Sequence, residues 1–403
     1  MPPSPPVPDA SPARPDVAGV LHWLASLAPT RLTGSDGERA VQQAVAARLE
    51  PAGYQAQWVP FHAAPHIYGS MALHFGLVLA VLPFFARFPL AVAGAHLFLA
   101  YSWWSEAVRR RHVLRQLWPK VATQSVLLRW PTDGAPRKRI VLLSHADSAF
   151  TGLMFSPFVL RNLAKPPPAP LFFLKKQLWL PWASLLVLGL LEAASGFLSL
   201  PGWVPWVLSL PSLPVFVLNL DVVLRNRVVP GAADNLSGCA AQVVLAERWA
   251  QGPVPGVEVV FAFTGAEEAG TLGAAHLART MGWDRGTTEV LVLDTLTNGD
   301  LFLLEEGELW RLPSPPSLVE AARAAARDCK QPEPAQYPVP AGATDALPFL
   351  VEGYRAIALT CIDREQHAPR HYHHPTDTAE NADPDQLHRS TEVAWALLTR
   401  LAG

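Results

Sequence analysis

Two stretches of this 403-residue chain are almost free of charge. From Met71 to Ser105 the only formally charged residue is Arg87, and from Gln177 to Leu220 it is Glu192. A membrane-spanning helix needs roughly 20 apolar residues, so each block is too long for one core helix and fits two spanning segments. Arg87-Phe88-Pro89 would turn the first pair and Pro201-Gly202 the second. The expectation is two inserted membrane helical hairpins, at about 66–108 and about 165–222, with membrane lipid as a partner. Pro205, Pro211 and Pro214 disturb the fourth segment, which keeps a half-inserted arrangement or an apolar lid as the alternative.

Basic residues flank both blocks: Arg109, Arg110, Arg111, Arg115 and Lys120 after the first, Arg161, Lys165, Lys175 and Lys176 before the second, Arg225 and Arg227 after it. Trp103, Trp104 and Trp179 would share that interface, and Trp203 and Trp206 the opposite one. Such a pattern puts everything outside the hairpins on the cytoplasmic side of a membrane, expected to be the cytoplasmic membrane. A net charge of -2 gives nucleic-acid binding no electrostatic support. Cys239, Cys329 and Cys361 are odd in number and lack C-x-x-C spacing, against a disulfide framework or thiolate metal site. The proline-rich residues 1–14 read as a disordered lead, with 15–403 as one domain interrupted by the apolar inserts.

With the blocks set aside, strands alternate with helices. Residues 16–28 and 35–50 read as helices, the second capped by Ser35. Residues 54–61, 123–129, 140–143, 257–263, 290–293 and 354–361 read as strands. Helices are expected at 235–251, at 318–328 with Ser317 as cap, and at 385–401. The alternation predicts an α/β fold: a mostly parallel central sheet flanked by helices, with the two apolar hairpins inserted. Sites in such sheets lie beyond the carboxyl ends of the strands.

Five polar stations fall there: SHADS with His145 and Asp147, GAADNLSG with Asp234, AEE with Glu267 and Glu268, VLDT with Asp294, and YHHPTDT with His373, His374 and Asp377. Adjacent carboxylates after a buried strand repel unless a cation neutralises them. One can then ligate while the other handles a proton, although an exposed Glu-Glu turn gives the same pattern. The donors are imidazole and carboxylate only. That set suits zinc or a similar divalent ion, in a number better matched to two ions sharing a carboxylate than to one.

The order H-x-D, D-N-x-S-G, E-E, D, H-x-x-x-D-T resembles metallopeptidase family 28, the co-catalytic zinc aminopeptidases. RLTGSDGERAVQQAVAARLEPAGYQAQ and ATDALPFLVEGYRAIAL are similar to other parts of that family. The resemblance implies a zinc aminopeptidase-like fold and two zinc ions per chain. His145 and Asp294 would bind one, Glu268 and His373 the other, and Asp234 would bridge them. It implies Glu267 as general base and Asp147 as the carboxylate that orients a ligand imidazole. His373 is preferred to His374 because it stands four residues before Asp377, as the family's ligand does. The family's S-D-H reads Thr344-Asp345-Ala346 here, and Asp345 receives no role.

The expected function is a membrane-associated metallo-aminopeptidase that hydrolyses the N-terminal bond of a peptide substrate. A glutaminyl-cyclase-like acyl transfer on the same fold goes with one zinc and needs no first histidine ligand, so His145 together with Asp294 speaks against it. An inactive membrane receptor or scaffold on the same fold would have lost ligands or the base, and neither is lost here.

Overall fold

The computed structural model describes residues 16–132, 134–165, 178–338 and 342–403; the lead at 1–14 lies outside them. The strands are β1 (Gln55–Ala63), β2 (Val121–Arg129), β3 (Lys138–His145), β4 (Phe150–Thr151), β5 (Arg227–Val228), β6 (Val257–Thr264), β7 (Thr288–Leu293), β8 (Asp300–Glu305), β9 (Gln336–Pro338) and β10 (Arg355–Ile362). The helices are α1 (Val17–Leu27), α2 (Asp36–Leu49), α3 (Ile67–Val81), α4 (Pro89–Arg109), α5 (Pro157–Ala164), α6 (Trp179–Ala194), α7 (Val204–Ser209), α8 (Ser212–Arg225), α9 (Ser237–Trp249), α10 (Leu272–Thr280), α11 (Pro316–Asp328), α12 (Ala346–Val351) and α13 (Pro384–Ala402).

Eight strands form one sheet in the order β1-β2-β6-β3-β7-β10-β8-β9. Its centre, β6-β3-β7-β10, is parallel, while β1-β2, β2-β6 and β10-β8 pair antiparallel. The fold is therefore mixed α/β with a parallel heart. Alternate residues of the central strands serve two cores, as the period-two geometry of a strand requires. Ile140, Leu142, Phe261, Phe263, Leu291 and Leu293 face α1, α2, α9, α11 and α13. Val141, Leu143, Val260, Ala262, Val290 and Val292 face α10 and α12. Burial on both faces explains why these strands read as continuous apolar runs. Ser317 is not a cap: α11 starts at Pro316, and the Ser317 hydroxyl accepts a hydrogen bond from Arg355.

The first apolar block forms α3 and α4, between β1 and β2; the second forms α6, α7 and α8, between β4 and β5. They are not two self-contained hairpins. α3 packs mainly on α8 and α4 mainly on α6, so each block buries its apolar side against the other. Phe75, Trp103, Val78, Leu99 and Leu185 make the interior. Among the described residues one helical stretch, Ile67–Phe84, is long and apolar enough to cross a membrane, with mean hydropathy 1.8 and 44% of it buried in the protein. Trp179–Ala194 is apolar but shorter, and the prolines split the rest into α7 and α8. Two of the flanking arginines are pins rather than a solvated basic face. Arg110 is buried and bonds Glu308, the Gly270 carbonyl and Thr271. Arg115 is buried on Glu106 and on the carbonyls of Ala64 and Ala269.

Within the interior, His96 Nδ1 lies 2.6 Å from Glu192 Oε2, both side chains fully buried, and its Nε2 lies 3.1 Å from the Val78 carbonyl. This contact joins the two blocks. Glu192→Leu should strand the imidazole nitrogen and cost about 1–3 kcal/mol, while Glu192→Gln keeps an acceptor and costs less. Urea unfolding midpoints of the two variants test the order.

Candidate active site

The central strands deliver their next residues to one place. His145 ends β3, Asp294 follows β7, and Glu267 and Glu268 sit in the turn after β6. Asp234 lies just ahead of α9 and His373 in the loop after β10. His145 Nε2 is 3.1 Å from Asp234 Oδ1, 4.0 Å from Asp294 Oδ2 and 3.8 Å from Glu267 Oε2. His373 Nε2 is 3.4 Å from the other Asp234 oxygen, Oδ2, and 3.4 Å from Glu268 Oε2. Asp234 thus turns one oxygen toward His145 and Asp294, and the other toward His373 and Glu268. Donor atoms of His145, Asp234 and Glu268 all lie within 4.8 Å of one another. His374 points elsewhere, with Nδ1 on the Thr376 hydroxyl.

Backbone and neighbours fix these side chains. His145 Nδ1 donates to the Asp147 carbonyl at 3.1 Å, which turns Nε2 toward the carboxylates. The Asp147 carboxylate, 3.6 Å from that ring, is mostly engaged elsewhere. It accepts from the amides of Glu267 and Glu268, both at 3.1 Å, and from Thr33. Asp147 therefore holds the glutamate turn as well as standing beside His145. Glu38 holds the same turn, accepting from the Ala266 amide. Ala266 has φ 58°, a left-handed conformation that costs a non-glycine residue energy and is kept by these bonds.

The D-N-x-S-G motif has a physical meaning. Asn235 donates to the Leu293 carbonyl and accepts from Gly238 and Thr295, while the Ser237 hydroxyl accepts from the Leu296 amide. The motif therefore ties the Asp234 loop to the Asp294 loop. A Cβ on Gly238 would stand 2.2 Å from the Leu293 carbonyl oxygen, so only glycine permits the approach. His373 is held by the Tyr68 hydroxyl of inserted α3, 3.2 Å from its Nδ1, and by Phe155 and Tyr372 against its ring.

Sequence reasoning missed two supports. Buried Arg31 donates to the carbonyls of Ala146, Pro230 and Gly231, stapling the His145 and Asp234 loops together. Asp377, seen in the sequence only as a spacing marker, accepts from the amides of Ala233 and Asp234. An arginine more than a hundred positions away from its partners leaves no local pattern; the serine-capped segment after it was the nearest clue. Asp345 is buried and accepts from the Thr264 hydroxyl at 2.5 Å.

The electrostatics fit a cation. Burial pushes Glu267 and Glu268 well above the ordinary Glu range, Glu268 further by Asp234 and Glu267 beside it. Burial, then Asp234, pushes Asp294 up to about 7. Glu268 Oε1 is buried without a hydrogen-bond partner. Crowded carboxylates, an orphaned oxygen and two imidazoles turning Nε2 toward them are what a divalent ion would satisfy.

Comparison with known proteins agrees. Residues 216–398 match the model of Peptidase family M28. That stretch holds Asp234, Glu267, Glu268, Asp294 and His373, and His145 lies ahead of it. Similar in fold are a Zn-dependent exopeptidase from Parabacteroides distasonis (TM-score 0.56, 15% identity, 97% of this chain and 98% of that one) and a zinc aminopeptidase from Bacillus subtilis (0.55, 12%, 95% and 93%). A Bacteroides thetaiotaomicron glutaminyl cyclase bound to N-acetylhistamine is also similar (0.56, 13%, 95% and 96%). No curated protein matches the chain in sequence. The chain thus has the fold shared by these exopeptidases, aminopeptidases and glutaminyl cyclases, and a little under half of it matches the peptidase family model.

Asp377→Asn replaces one of two acceptor oxygens with a donor that faces an amide N–H. It should weaken zinc binding about 10–100-fold, as loss of a ligand's supporting bond does. Competition titration with a chromogenic chelator reads this out; unchanged affinity would remove Asp377 from the support.

Proposed function

We propose that the chain is a metallo-aminopeptidase with two zinc ions, cutting the N-terminal peptide bond of its substrate. The observation that carries this is the division of Asp234 between two ligand groups. His145 and Asp294 would hold one ion with Asp234 Oδ1; His373 and Glu268 would hold the other with Asp234 Oδ2. Such a pair, when bound, polarises the scissile carbonyl and acidifies the attacking water.

Glu267 is the proton carrier. It lies beside the cluster without being needed to complete either group, and its raised proton affinity suits a base that must pass its proton on. It takes a proton from water as the oxygen bonds to the carbonyl carbon. It then gives that proton to the amine nitrogen as the C–N bond breaks. Asp147 keeps Glu267 in place through the backbone amide, and carboxylates around the ions supply the charge that holds a substrate ammonium. A glutaminyl cyclase needs no first histidine ligand; His145, anchored through the Asp147 carbonyl, favours the hydrolase.

We treat 15–403 as one peptidase domain interrupted by the helical inserts, and the inserts as its membrane contact. Supporting the second point are Phe84, Phe88, Leu90, Trp203, Trp206 and Phe197, all exposed, the last at 95%. Aromatic and apolar residues grouped on helix ends suit the boundary between headgroups and acyl chains. The burial of Arg110 and Arg115 removes part of the charge bias, so the support is for attachment to a membrane rather than for four spanning segments. Attached protein resists high salt and leaves the membrane with detergent; release by salt alone would oppose this.

Glu267→Gln should retain about two zinc ions per chain, expected from the ligand set, while turnover of aminoacyl substrates falls about 10²–10⁴-fold. One zinc per chain would favour the cyclase reading, and near-normal turnover would reassign the base. His373→Ala should lower both zinc content and activity, whereas His374→Ala, which removes only the contact to Thr376, should do much less. Metal analysis beside steady-state rates tests both.

A further inference from the structure

The inserted helices form part of the site. A cavity of about 460 Å³ joins Asp234, Glu267, Glu268, Asp294 and His373 to the inserts, and its two sides differ in chemistry. The sheet domain supplies the carboxylates, His373 and several threonines. The inserts supply Ile67 and Met71 of α3 and Val215 and Leu218 of α8, and α5, just ahead of the second insert, adds Leu160 and Leu163. Among the described residues, the polar ones that α3, α5, α6 and α8 contribute are Tyr68 and Asn219. Tyr68 Oη is at His373 Nδ1, and Asn219 Nδ2 donates to the Val215 carbonyl at 2.8 Å.

The apolar wall is also continuous with the outside. Leu163 and Leu180 line the cavity and are 36% and 49% exposed. A cavity of this size lies within the range, about 300–1,000 Å³, that buries an entire small ligand, whereas one amino-acid side chain would leave much of it empty. Water in the part beside the inserted helices would face leucine, isoleucine, methionine and valine.

We propose that the substrate is an amphiphilic amide, whose scissile bond lies at the carboxylate cluster and whose long unbranched apolar chain lies along the inserted helices. This rests on the hydrolase reading above and names its substrate class. An ammonium is drawn to the carboxylates and expelled from the apolar wall, so the chain belongs to the amine side of the bond. In the reaction water adds its oxygen to the carbonyl carbon, the C–N bond breaks, and Glu267 moves the proton to nitrogen. The products are a free amino acid and a long-chain amine.

The test is kcat/KM for leucyl n-alkylamides from ethyl to dodecyl, each below its micelle-forming concentration, with the zinc-loaded full chain. The expected result is a rise of about threefold to fourfold per methylene, levelling when the cavity is full. Val215→Trp and Met71→Trp, which place an indole in the apolar wall, should each move the plateau to a shorter chain; one folded variant of the two suffices. Good turnover with no dependence on length overturns the proposal and leaves the aminopeptidase reading standing. If no member is cleaved, calorimetry with N-ethylacetamide and N-dodecylacetamide decides. Tighter binding of the longer amide, lost in the tryptophan variants, rejects the aminopeptidase reading but retains the chain-binding cavity. Equal binding of the two overturns the cavity proposal as well.

Discussion

Repulsion among buried carboxylates is the constraint around which this molecule is organised. Asp147, Asp234, Glu267, Glu268 and Asp294 meet at the end of a parallel sheet, where burial disfavours their charge. Two imidazoles offset part of this. Asp234, between them, stays below the ordinary Asp range despite its burial, through hydrogen bonds to His145 and His373. The remaining protein holds the groups where they are costly. Arg31 staples two loops by their carbonyls, Asp147 and Glu38 grip the glutamate turn by its amides, and Asn235 joins the loops of Asp234 and Asp294. A divalent ion would relieve what these bonds only restrain, and part of the energy of binding it would then be energy of folding.

Much of this was legible in the sequence, for reasons that differ by element. β3, β6 and β7 are buried on both faces and stand out as short apolar runs. α2 announces itself by its cap at Ser35, while the Asp383 cap of α13 is seen only in the structure. β9 went unread because it is three residues long at the sheet's edge, where little apolar pattern is required, and β8, between β10 and β9, is a short run buried only over its last three residues. α10 and α12 are short and follow turns whose residues drew attention for other reasons. The prediction of a Ser317 cap failed because Pro316, favoured in the first helical turn, had already started the helix.

The site shows the same division. His145, Asp234, Glu267, Glu268, Asp294 and His373 lie at strand ends, in the loops after them or ahead of a helix, and the structure brings these candidates together. Their supports are read only in space. Tyr68 belongs to an apolar insert and nothing near it in sequence suggests an imidazole partner, yet its hydroxyl meets His373. Arg110 and Arg115 look like ordinary basic flanks of a membrane segment and instead fasten α4 to the turn that follows the two glutamates. Charge counted along a chain does not distinguish a guanidinium in water from one spent on carbonyls.

The crossed pairing of the helices, α3 on α8 and α4 on α6, bears on how the chain is made. On the ribosome the first apolar block emerges long before the second, and neither can shelter its own greasy side. At about 5–20 residues per second the nascent chain carries α3 and α4 without partners for on the order of ten seconds, until α8 is complete. During that interval a bilayer or a holdase chaperone is the natural refuge. Cells short of either would accumulate aggregates of the half-made polypeptide.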